Sequence, residues 1–167
     1  SNDELLEILS QTKDPTRVQP FLSKVFEAMA KVQFAQDNAI ISMISPEGEE
    51  VEFVNPVVTY QRVVELWMCD LEDAMRVALR QALQDGITTY VEMDRPDWVL
   101  NNPAQIVLNG SQVHWTAEVE EAFETGTIEQ YAKKLDEQIL GLVMILRKGP
   151  SKMQRTTIGA LVVIDVH

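Results

Sequence analysis

Apolar residues in the middle of the chain recur at intervals of three and four. Tyr60, Val63, Val64, Trp67, Leu71, Ala74, Met75, Ala78 and Ala82 fall within one face at 100° per residue, with Arg62, Glu65, Asp73, Arg76 and Arg80 opposite. This predicts a long helix over 59–86, with Thr59 accepting the first free amide and Gly86 as a left-handed cap. The same period predicts a helix over about 1–12, carried by Leu5, Leu6, Ile8 and Leu9 and broken at Lys13-Asp14-Pro15. Another is expected near 16–33 on Val18, Phe21, Leu22, Val25, Met29 and Val32, with Pro20 tolerated only in its first turn. Between them and the long helix the period drops to two. The short β-branched run 39–44, the turn Ser45-Pro46-Glu47-Gly48 and the alternating 49–53 predict a β-hairpin over about 40–53, ended by Asn55-Pro56.

Beyond Gly86, residues 88–92 read as a loop or short strand. Pro96 opens a short helix holding Trp98, Val99 and Leu100. Asn102-Pro103 restarts a helix, with Asn102 as its cap and Pro103 at its first position; it either continues through Val119, Ala122 and Phe123 or restarts at Thr116, and Gly126 closes it. Thr127 to Gln130 has the form of a capping box. The helix it opens runs to about Lys148, with Ile128, Tyr131, Leu135, Ile139, Leu142 and Leu146 on one face and Leu140, Met144 and Ile145 on the other. Its second half is apolar all round, which predicts burial on both sides. Lys148-Gly149-Pro150 stops it, and Ser151 to Gln154 forms a second capping box before the last helix. The expected fold is mainly α, a multi-helix bundle or irregular helical stack of six to seven helices with one small β-hairpin. It is expected as a single domain over 1–167.

Charge narrows the possible partners. Fourteen Lys and Arg stand against twenty-six Asp and Glu, a net charge of −12, which argues against a nucleic-acid phosphate partner and lends no support to a membrane surface. The longest apolar run, 139–146, is about half of the ~20 residues a bilayer span needs. One cysteine excludes an internal disulfide and a thiolate metal cage, and fits a cytosolic compartment. A first residue that is not Met and an apolar pattern still running at residues 160–167 predict a piece of a longer chain.

Candidate chemistry is sparse. Neither G-x-x-x-x-G-K-[ST] nor G-x-G-x-x-G occurs, and Pro150 removes an amide that a phosphate cradle around Gly149 and Lys152 would use. His114 and Glu118 stand at i,i+4, but a metal site needs more ligands and the other histidine is His167. Cys69 has Glu65 and Asp73 one turn away on either side, which disfavours a thiolate. The acidic groups Glu47, Glu49, Glu50, Glu52 and Glu118, Glu120, Glu121, Glu124 read as solvated faces. Trp67, Trp98 and Trp115 read as core anchors. No catalytic, cofactor-binding or metal-ligating residue is assigned.

Several stretches together resemble dynein heavy chains: Asn2 to Ser10, the hairpin Ile44 to Val51, the helix from Val64 to Trp67 and on to Ala74-Met75-Arg76, Pro103 to Leu108 followed by Trp115 to Glu120, and the end Ala160 to His167. The likeness spans almost the whole chain, in order. Phe21, Glu52 and Pro150 depart from the family's pattern at surface or turn positions. The first stretch is closer to axonemal than to cytoplasmic dyneins.

The resemblance is to the C-terminal part of the linker, which in that family precedes the first ATPase module of a six-module ring. It implies a lever-arm element of a microtubule-based, ATP-driven motor, with no chemistry in this segment. ATP and magnesium would belong to the parent chain. The implied partners are the ATPase ring of the same chain and, through the parent, the microtubule and other dynein subunits. The implied location is the cytoplasmic cytoskeleton, in a ciliary or flagellar axoneme. Glu47, Gly48 and Glu49 at the hairpin tip, with Val162, Val166 and His167 at the end, are the candidate contacts to the ring or a partner. A free-standing acidic helical adaptor is the alternative with the same physics.

Overall fold

A computed structural model describes residues 13–166, so the helix expected over 1–12 lies outside the described residues. Among the described residues the structure is 66% helical, with six α-helices and a small three-stranded antiparallel sheet, which bears out a mainly α fold. The chain separates into two compact units, divided between Gln81 and Ala82.

The first unit begins with a 3-10 turn, Pro15–Val18, whose start is held by Asp14. The Asp14 carboxylate accepts from the Thr16 amide at 3.0 Å and the Thr16 hydroxyl at 2.7 Å. Then come α1 (Gln19–Val25), β1 (Lys31–Phe34), β2 (Ile40–Ile44), β3 (Glu50–Val57) and the start of α2 (Val64–Thr89). Strand order is β1-β2-β3, with Met43 opposite Val32 on one side and Val51 on the other. The core joins Val18, Leu22, Met29, Val32, Ile40, Met43, Phe53 and Val57 to Val64, Trp67, Leu71 and Ala78 of α2.

The hairpin forms where the alternation places it, but the elements around it differ from expectation. The helix expected over 16–33 ends at Val25, and its last residues become β1. Met29 and Val32 are buried as the period of 3.6 requires, yet they reach the core from a turn and a strand. Pairing with β2 and two hydrogen bonds between the Gln19 side chain and the Val32 backbone, one donated by each, override the local helical spacing. Asn55 and Pro56 do not end the hairpin either. They lie within β3, where the register shifts between Ile40 and Ser42, and an irregular edge strand tolerates a proline.

The long helix is shifted by several residues. Thr59 is buried and spends its hydroxyl on the Asn38 carbonyl at 2.8 Å rather than on a helix amide. Gln61 turns the chain with φ 54°, and α2 starts at Val64, leaving Tyr60 and Val63 exposed. At the other end the helix runs through Gly86 to Thr89. Gly86 is a packing glycine and not a cap: a Cβ there would overlap Ile106 Cγ2.

The second unit holds the end of α2, then α3 (Arg95–Asn101), α4 (Ala104–Thr125), α5 (Ile128–Arg147) and α6 (Lys152–Val166). Helices α4, α5 and α6 pack on one another, and α3 lies against α4 and α5. Their core is Trp98, Val99, Val107, Leu142, Ile145, Ile158 and Leu161. Residues 88–92, expected as a loop or short strand, are the last turn of α2 and the turn after it. Asn102 does not cap α4; its side chain returns to the Trp98 carbonyl at 2.8 Å, and α4 runs unbroken to Gly126, whose φ of 68° ends it. The Ser151–Gln154 capping box is made in both directions, at 3.0 and 3.2 Å. The Thr127 box is not, because that hydroxyl pairs with Thr125 Oγ1. Burial of α5 on both sides is also corrected: Leu140 and Met144 are 63% and 60% exposed. Trp67 and Trp98 are core anchors, whereas Trp115 is half exposed.

Candidate functional site

The hairpin tip is built by the turn that its sequence specifies. Ser45 donates its amide to the Glu49 carbonyl at 2.9 Å and accepts from the Gly48 amide at 3.0 Å, and Gly48 takes a φ of 92° that disfavours a side chain. Glu47 and Gly48 are exposed and Glu49 is partly buried. These three candidates therefore stand together on one loop of the first unit. Val162 and Val166 lie one turn apart on α6 in the second unit. Val162 is partly buried against that unit's core and Val166 is 61% exposed. His167 lies outside the described residues.

Sequence reasoning missed the polar interior of the second unit. Arg95, at the start of α3, meets Asp165, near the end of α6, with Nη2 donating to Oδ1 at 2.9 Å and Nη1 standing 2.9 Å from Oδ2. Both side chains are buried, 10% and 5% exposed, and Nη1 also donates to Gln138 Oε1 of α5 at 3.0 Å. One guanidinium thus ties three helices together. No local spacing could have revealed it, since its two charges stand 70 positions apart.

The i,i+4 pair His114 and Glu118 is divided between two other tasks. The His114 ring stacks on Tyr90 with centroids 4.0 Å apart, and its Nε2 lies 2.9 Å from the Ile87 carbonyl, which can only accept. Glu118 Oε1 accepts from Lys134 Nζ at 2.9 Å. Burial, with the Glu118 charge adding to it, raises the Tyr90 and Tyr131 phenols above their ordinary range and keeps both neutral. Among the described residues no three His, Cys, Asp or Glu side chains converge as a metal site. Cys69 is exposed on α2. The arrangement is one of packing and contact, with hydrogen bonds that fix helices.

The family model described as "Dynein heavy chain, N-terminal region 2" matches residues 1–86. Similar curated proteins include dynein axonemal heavy chain 3 of Mus musculus, 46% identical over 169 residues, and dynein axonemal heavy chain 1 of Homo sapiens, 44% identical over 168. Dynein axonemal heavy chain 12 of Mus musculus is 44% identical over 171 residues. Each alignment covers 100% of this chain but only 4%, 4% and 6% of the respective relative. With the family model matching more than half of the chain, and the likeness extending over all of it, the chain belongs to the dynein heavy chain family.

Proposed function

We propose that this chain is part of the linker of an axonemal dynein heavy chain, a lever-arm segment that carries a conformational change from an ATPase ring and does no chemistry itself. The observation that carries this reading is the full-length match to axonemal dynein heavy chains. ATP and magnesium belong, on this reading, to ring modules elsewhere in the parent. Its partners are that ring and, through the parent, the microtubule and other dynein subunits; its place is the ciliary or flagellar axoneme. A force-bearing segment must hold its shape, and close-packed interiors resist deformation. Trp67, Trp98, the Gly86–Ile106 approach and the Arg95–Gln138–Asp165 cluster favour such a role.

The ring-contact surfaces are assigned to Glu47, Gly48 and Glu49 at the hairpin tip and to Val162, Val166 and His167 at the end of the chain. Amide hydrogen exchange tests this assignment by comparing the 167-residue chain with a heavy chain that includes the ring. Amides at 45–49 and 162–167 should exchange more slowly in the longer protein. Equal exchange in the two proteins would remove both surfaces from the contact, and slowing at only one would confine the contact to it.

A further inference from the structure

The two edges of the sheet are not equivalent. Ala30 donates to the Ile44 carbonyl, and Lys31 and Gln33 stand opposite Ile44 and Ser42, so the alternate residue Val32 turns its backbone away from β2. That outward N–H and carbonyl are both taken by Gln19, at 2.9 and 2.7 Å, and the β1 edge is closed there. On the other side Ser45 is bonded to Glu49 and Met43 stands opposite Val51, so Glu50 and Glu52 turn their backbone groups outward. Among the described residues no strand pairs with this edge of β3.

The side chains along that edge are sorted by face. Val51 and Phe53 point to the core side, while Glu50, Glu52 and Val54 are exposed. The Ser42 hydroxyl donates to the Glu50 carboxylate at 2.5 Å, and among the described residues no ion pair engages Glu50 or Glu52. An edge carrying like charges repels a second copy of itself, which is the usual protection against self-pairing. The same charges favour a strand of opposite sign.

We infer that the free edge of β3 accepts an extended peptide segment in which basic and apolar residues alternate, as a fourth strand of the sheet. Its backbone pairs with the amides and carbonyls of Glu50 and Glu52, its Lys or Arg residues lie on the face of those carboxylates, and its apolar residues lie beside Val51 and Phe53. The irregular register beyond Glu52, with Pro56 in the same strand, confines regular pairing to the hairpin-proximal half of β3.

The test uses the 167-residue chain and a capped peptide of alternating Val and Lys, followed by amide exchange in NMR. The peptide should slow the Glu50 and Glu52 amides by about tenfold or more and leave Val51, already bonded to β2, little changed. Methylating alternate backbone nitrogens of the peptide should abolish the effect. Replacing both glutamates, Glu50→Lys with Glu52→Lys, should transfer the preference to a Val–Glu peptide. Unchanged exchange at Glu50 and Glu52, or equal binding of the methylated peptide, would overturn the proposal. Slowing that depends on protein concentration without any peptide would assign the edge to a second copy instead, and would overturn it too.

Discussion

Replacing Trp98 with alanine is expected to destabilise the second unit by ~3–5 kcal/mol, the usual cost of truncating a large buried aromatic residue. The indole is fully buried, its N–H donates to the Gly86 carbonyl at 2.8 Å, and Tyr90 meets it edge-on at 5.0 Å. Gly110 exists to let the ring approach: a Cβ there would stand 3.0 Å from Trp98 Cζ2. The first unit has its own anchor in Trp67, 1% exposed, and Trp67→Ala should cost a similar amount there. Trp115→Ala should cost less than about 1 kcal/mol, since its ring is half exposed. Denaturant unfolding of the three variants decides. A loss below about 1 kcal/mol for Trp98→Ala would contradict the packing described here.

Breaking the buried ion pair should be as damaging. Arg95→Ala leaves the Asp165 carboxylate buried without its counter-charge, and Asp165→Ala leaves the guanidinium buried beside Gln138 without its own; each is expected to cost ~3–5 kcal/mol. Removing both charges together is a different experiment. Arg95→Met with Asp165→Leu replaces the pair by apolar groups of comparable size and should cost far less than either single loss, because no uncompensated charge remains. The bonds also differ in kind from those at the surface. The Arg76–Glu72 pair on α2 has both partners more than half exposed, and Glu72→Ala should change stability by less than about 1 kcal/mol. Additive costs in the Arg95/Asp165 double variant would show that the two residues do not act as a pair.

What the sequence disclosed follows from how local each determinant is. Turn chemistry placed the hairpin, because Ser45, Pro46 and Gly48 act on their own neighbours. The Ser151 box and the Gly126 stop were legible for the same reason. Helical spacing marked Met29 and Val32 as core residues but named the wrong element, since a strand pairing with β2 buries the same two side chains. Gly86 was misread as a cap because its reason for being glycine is Ile106, twenty positions away. Leu140 and Met144 were read as buried on apolarity alone, yet both are exposed, while Ile145, assigned to the same face, does join the core. The Arg95–Asp165 pair was out of reach, as distant partners leave no periodic trace. Of the candidate contact residues, exposure at Glu47 and Gly48 followed from the turn, whereas the unbroken apolar run at the end gave no sign that Val162 is partly buried and Val166 exposed. The family followed from five short stretches in order, and the full-length likeness to dynein heavy chains agrees with it.

The lever-arm reading makes a direct demand: this segment must move relative to the ring as nucleotide turns over. In a full-length heavy chain, a fluorophore placed at Cys69, which is exposed on α2, can be paired with a second on a ring module. Energy transfer is then compared between the nucleotide-free motor and the motor holding an ATP analogue. The account predicts two distinct transfer efficiencies that interconvert with nucleotide state; a single unchanged efficiency from several ring positions would contradict it.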